Sequence, residues 1–147
     1  MQLTSVFLNN SPISSKYTCD GEDVNPPLTM NDVPTGAKSL VLIVDDPDAP
    51  KGTWTHWVVV NINPKTTIIK EDSVPEGSLQ TKTSFGKAGW GGPCPPSGVH
   101  HYHFKLYALD VEKLDVPSTA EVKQIIEAMA KHIQAATQLI GLYQRGS

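Results

Sequence analysis

The 147-residue chain is predicted to be a mostly β single domain, residues 1–147, carrying one amphipathic helix near its C-terminus. Three observations predict this. The apolar residues fall in short, β-branched-rich runs, the length of buried strands. The 12 prolines and 11 glycines gather between those runs, as expected of structured loops. Only after Pro117 does the apolar spacing change to a helical period. With 39% apolar and 18% charged residues, the chain has the balance of an ordinary globular domain rather than a disordered segment.

Residues 3–8 form a candidate first strand, followed by a polar loop through Asn25-Pro26-Pro27. Residues 39–45 (Ser-Leu-Val-Leu-Ile-Val-Asp) are apolar at both alternating sets of positions, the mark of a central strand covered on both faces. Residues 55–62 (Thr-His-Trp-Val-Val-Val-Asn-Ile) make the next strong strand. Residues 67–70 and 79–85 are weaker candidates, and residues 101–110 alternate with period two. In Pro117-Ser118-Thr119-Ala120-Glu121, Ser118 and Glu121 have the spacing of a capping box. Val122, Ile125, Ile126, Met129, Ile133, Ala136, Leu139, Ile140 and Tyr143 then line one helical stripe, predicting a helix from 122 to 143 laid on the sheet.

The net charge is −3 with no basic run, which argues against nucleic-acid binding. The N-terminal residues lack a charged stretch followed by an apolar one, so no signal peptide is expected. No apolar stretch approaches a membrane span, and a cytoplasmic location is expected. Cys19 and Cys94 lack CxxC spacing; free thiols in a reducing cytoplasm are expected, with a disulfide the alternative.

Strand alternation suggests where polar groups converge. Asp46 continues the face of Leu40, Leu42 and Val44, and His56 begins the face of Val58, Val60 and Ile62. If these strands pair antiparallel across the short connector, Asp46 and His56 sit at one end of the sheet. His100 and Tyr102 begin the face of Phe104, Leu106 and Ala108. A carboxylate and two imidazoles capping apolar faces suit the mouth of a ligand pocket. A carboxylate beside a histidine favours the imidazolium, which attracts phosphate or carboxylate. Asp46-Pro47-Asp48-Ala49-Pro50 is a stiff acidic loop, and the glycines and prolines from Gly89 to Gly98 suit a backbone anion nest.

Three segments carry a family resemblance. Asp46-Pro47-Asp48-Ala49-Pro50 with Trp54-Thr55-His56-Trp57, and Gly92-Pro93-Cys94-Pro95-Pro96-Ser97-Gly98-Val99-His100-His101-Tyr102, resemble the two signature regions of the phosphatidylethanolamine-binding proteins. Residues 20–28 resemble that family's N-terminal loop, and the likeness runs from residue 2 to 143. Within the family the chain looks like the bacterial and archaeal, Raf-kinase-inhibitor-like branch. The resemblance implies a large central antiparallel or mixed sheet, a second smaller sheet and peripheral helices. It also implies a small pocket for phosphate-type headgroups, whose residues here would be Asp46, Asp48, His56, Gly92, His100 and Tyr102, with Trp90 as a further wall. His101 stands where many relatives have arginine, and Met30 where tryptophan is frequent.

The resulting expectation is a non-enzymatic binding protein with no cofactor. Its partner would be a phosphate- or carboxylate-bearing small molecule or a phospholipid headgroup. In this reading His56 and His100 donate to the anion, Gly92 permits close backbone approach, Asp46 orients an imidazole, and Asp48 stiffens its loop or meets a ligand amine. The rival readings are an inhibitor of a protease or kinase acting through surface loops, and a metal-assisted hydrolase. No metal site is expected, since His101 and His103 share a face with Lys105 and the cysteines lack zinc spacing; nor is Ser97 expected to be a nucleophile, since it lies in a turn rather than a nucleophile elbow.

Overall fold

The computed structural model describes residues 1–146, so Ser147 of the expected domain lies outside it. In chain order the strands are β1 (Gln2–Ser5), β2 (Ser11–Pro12), β3 (Leu28–Asn31), β4 (Ser39–Asp46), β5 (Trp54–Ile62), β6 (Ile68–Ile69), β7 (Leu79–Gln80), β8 (His100–Leu109) and β9 (Ile133–Tyr143). One α-helix, α1 (Val122–Met129), precedes β9. The small sheet has the order β1-β3-β6 and the large one β2-β9-β8-β4-β5-β7. All pairings in the large sheet are antiparallel except that of β2 with β9, so this sheet is mixed. The fold class is therefore the one expected: mostly β, with a large mixed sheet, a smaller sheet and a helix late in the chain.

β4 lies at the centre because every one of its residues is buried, as its unbroken apolar run requires. One of its faces, with Leu40, Leu42 and Val44, packs with Phe104, Leu106 and the small sheet's Leu28 and Met30. The other, with Val41 and Ile43, packs with Val58, Val60 and the helix residues Ile125 and Met129. The large sheet thus separates two cores.

The helix is shorter than its stripe predicted. It ends at Met129, and residues 133–143 form β9, paired with β8 from end to end. Leu139, Gly141 and Tyr143 are buried at period two, a pattern that a helical reading of the same residues conceals. Without β9, ten residues of β8 would face water as an open strand edge. Gly141 also fits a strand better than a helix: a side chain there would strike Phe7 and Ile13, which pack over it. The capping residue differs as well: Glu121 rather than Ser118 precedes α1, and its N–H donates to Gln124 Oε1 at 3.0 Å.

Cys19 and Cys94 are joined in a disulfide, against the expectation of free thiols. The two loops had no visible sequence relation. Topology brings them together, and the Cys19 N–H donates to the Pro93 carbonyl at 3.2 Å.

Candidate functional site

β4 and β5 are antiparallel neighbours, as expected, but a bulge rather than simple alternation places His56. Val44 pairs with Trp57, whereas Asp45 pairs with Thr55, leaving His56 as an extra residue on β5. Strict alternation would have left His56 on the face of Val58 and Val60, beneath α1. The bulge swings it instead to the side of Asp46 and Tyr102. A second irregularity sits between Val59 and Ile62, where Asn61 adopts φ 58°. It lets Val59 and Ile62 both enter the core between the sheets.

Asp46, His56, His100 and Tyr102, all buried, form the floor of a cavity of about 220 Å³. Trp54 and Phe85 stand at its mouth, 39% and 43% exposed, with ring centroids 5.4 Å apart in an edge-to-face pair. Ala49 and Pro50 close one side, and Cys94, Pro95 and Pro96 the other. Among the described residues no lysine or arginine lines it.

Each floor residue has a defined hydrogen-bonding state. Asp46 Oδ2 lies 2.6 Å from His100 Nδ1, and its Oδ1 accepts the Asp48 N–H at 2.8 Å. Both carboxylate oxygens are thus committed to the protein, and Asp46 fixes the ring of His100 so that Nε2 remains for other partners. His56 is held by Gly91 instead: Nδ1–H donates to the Gly91 carbonyl at 2.6 Å, while the Gly91 N–H donates to the His56 carbonyl at 3.1 Å. Burial pushes the ionisation of His56 below its ordinary value, outweighing the opposing pull of that hydrogen bond and of Asp46. Near neutral pH its Nε2 is therefore a lone-pair acceptor. The Tyr102 hydroxyl is buried and has no hydrogen-bond partner among the described residues. Burial first, then the Asp46 and Asp48 charges, drive its ionisation far upward; Asp46 lies close enough to act on the hydroxyl without meeting hydrogen-bond geometry, so the hydroxyl remains a protonated donor. The rings of His56 and His100 lie 5.2 Å and 6.4 Å from that of Tyr102.

Three other expected site residues lie outside the cavity lining. Asp48 Oδ2 accepts from both the backbone N–H and the Nδ1 of exposed His101, at 2.8 and 2.7 Å, which lowers the ionisation of Asp48. Of its two expected roles, stiffening the loop is the one this geometry serves. Gly92 is glycine because a Cβ would collide with the Tyr17 carbonyl, Thr18 and Asp23; its N–H donates to Asp23 Oδ1 at 2.8 Å. Trp90 points inward, edge-on to Trp57 at 5.6 Å and stacked with Phe104, and its Nε1–H donates to the Tyr17 carbonyl. Phe85 and Trp54 join the lining without having been expected there, while Pro95 and Pro96 belong to the loop expected beside the ligand but serve as an apolar wall. The exposed tryptophan beginning a strand was the aromatic pair's one legible signal.

A cavity closed by the loop before β5 and the loop before β8, with Asp46, His56, His100 and Tyr102 at its base, joins the two signature regions among the three segments that carried the family resemblance. The sequence description of the phosphatidylethanolamine-binding proteins matches residues 3–144. The chain belongs to this family. Phosphatidylethanolamine-binding proteins similar to it include a homologue from Chlamydia trachomatis, whose crystal structure superposes with a TM-score of 0.94 at 42% identity, covering 99% of this chain and 97% of that one. YbcL of Escherichia coli, described as a member of the mammalian PEBP family, superposes with a TM-score of 0.92 at 34% identity, covering 99% and 98%. A UPF0098 protein of Methanothermobacter thermautotrophicus is 49% identical over 97% of both chains.

Proposed function

We propose that the chain is a non-enzymatic binding protein whose cavity receives a small phosphate- or carboxylate-bearing group, free or as a phospholipid headgroup. The observation that carries this reading is the buried, unpartnered Tyr102 hydroxyl beside the Asp46-oriented His100. Buried polar groups in folded proteins find partners, and a ligand oxygen would supply one here. At about 220 Å³ the cavity is below the range of drug-sized sites and suits a headgroup. Among the described residues no serine or threonine lines it, and its cysteine is bridged, which supports binding rather than nucleophilic catalysis.

The expected role of His56 changes with its geometry. Its Nδ1–H is committed to Gly91, and its neutral Nε2 would accept from a protonated phosphate oxygen rather than donate to a dianion. The shared proton between them, on either partner, becomes more available as pH falls. Affinity for inorganic phosphate should therefore strengthen from pH 8 toward about 6, where phosphate's second ionisation lies. The sign for folding is opposite. A histidine whose ionisation is depressed contributes stability fully above its unfolded value of about 6.5, and loses it as pH falls through that value.

Calorimetric titration with inorganic phosphate and with phosphoethanolamine tests the proposal. Replacing His56 or His100 with alanine should weaken binding by about 1.5–3 kcal/mol, the range for hydrogen bonds to charged groups. Replacing exposed His101 should do far less. Equal losses for His100 and His101 variants, or none for either floor histidine, would reject the site.

Assignment to the bacterial and archaeal, Raf-kinase-inhibitor-like branch is part of the same proposal, supported by the quoted motifs and the archaeal and bacterial relatives. The exposed Trp54–Phe85 pair is the feature favouring the rival role, inhibition of a protease or kinase, since aromatic residues anchor protein interfaces. Loss of a partner's inhibition on replacing these two, with inhibition unchanged on replacing the floor residues His56 and His100, would establish it. No described helix is long and apolar enough to cross a membrane. A cytoplasmic location is compatible with the disulfide where the cytoplasm tolerates such bridges, as in hyperthermophiles.

A further inference from the structure

Cys94 stands in the cavity wall, and both it and its partner Cys19 are exposed. On the N-terminal side of Cys94 the loop is well anchored. Trp90 and Gly92 donate to Tyr17 and Asp23, and the Pro93 carbonyl accepts from Cys19. On its C-terminal side the arrangement differs. Residues 95–99 make no hydrogen bond to the described residues, and the next ties are at His100, whose Nδ1 meets Asp46 and which pairs with Tyr143 of β9. Pro95 and Pro96 line both the cavity and a polar cleft containing Asp20 and Arg145, so this arc is a single-layer partition between them. The disulfide is the last tie before the partition.

We infer that the Cys19–Cys94 bridge is a thiol-exchange site that latches the cavity wall, so that reduction by a dithiol releases residues 95–99 and weakens ligand binding. The chemistry is a two-step exchange. A thiolate of the dithiol attacks one cysteine sulfur and expels the other as thiolate. The reductant's second thiolate then attacks the reductant sulfur of the mixed disulfide and expels the remaining cysteine as thiolate. Two electrons and two protons pass to the cysteines, and the dithiol leaves as its own disulfide. Exposure of both cysteine residues gives the reductant access to the bridge. The consequence for affinity rests on the proposed binding role; the release of the arc does not.

The test compares the folded protein before and after treatment with dithiothreitol. Backbone amide order parameters of Ser97, Gly98 and Val99 should fall below about 0.6 on reduction, while those of β4 and β5 stay near about 0.85. Phosphate affinity should fall about tenfold, because the wall must then be ordered at the moment of binding. The double variant Cys19→Ser/Cys94→Ser should match the reduced protein and ignore the reductant. Unchanged order parameters in the arc, or their collapse in β4 and β5 as well, would overturn the latch. A mobile arc with unchanged phosphate affinity would overturn its coupling to binding. Failure of the oxidised protein to bind phosphate would reject the proposed function alone, since the order parameters are measured without ligand.

Discussion

Replacing Trp57 with alanine should lower the unfolding free energy by about 3–5 kcal/mol, the range for deleting a buried aromatic side chain. Trp57 is fully buried, packs edge-on against Trp90, and donates Nε1–H to Gln80 Oε1 at 2.7 Å. Its removal leaves a void between the sheets and takes the donor from Gln80. Trp57 also directly follows the bulge, pairing with Val44 while the extra residue before it turns toward the cavity. Urea unfolding should show a lower midpoint with an unchanged slope. A loss below about 1 kcal/mol would mean that the site collapses without a cavity, contrary to the packing described here.

Opening the disulfide should cost about 4 kcal/mol of stability. The cysteines are 75 residues apart, and closing so long a loop removes much of the unfolded chain's conformational freedom. This effect acts mainly on the unfolded state, whereas the latch acts on the native wall, so the two are separable. Denaturant midpoints of oxidised and reduced protein measure the first. Equal midpoints would show that the bridge does not constrain the unfolded ensemble as its spacing requires.

The parts of this molecule that were legible in its sequence are those governed by local pattern. The run before Asp46 has no polar face and became the central strand. The alternation from His100 became β8, with its polar positions on the outer face. The convergence of Asp46, His56, His100 and Tyr102 was also anticipated, although for His56 the stated reason was incomplete. Face assignment assumes an unbroken period of two, and one extra residue on β5 reverses it. β9 was hidden because Ile133, Ala136, Leu139, Ile140 and Tyr143 satisfy a helical stripe while Leu139, Gly141 and Tyr143 satisfy a strand. Only the need to cover the edge of β8 decides between them. Pairing of Cys19 with Cys94, and the inward turn of Trp90, follow from contacts between loops distant in sequence. Gly92 and Asp48 were legible as special residues, but the contacts that make them special are with the protein itself.

The most direct test of the account observes the imidazoles themselves. The chain has five histidines, and two of them, His56 and His100, stand on the cavity floor. A nitrogen–proton correlation spectrum of the ring nitrogens, recorded while inorganic phosphate is added at pH 6.5, reports each one separately. Nε2 of His56 and of His100 should shift together and saturate at one phosphate concentration, with His101, His103 and His132 unmoved. Shifts confined to the exposed histidines, or no saturable shift at either floor histidine, would contradict the account.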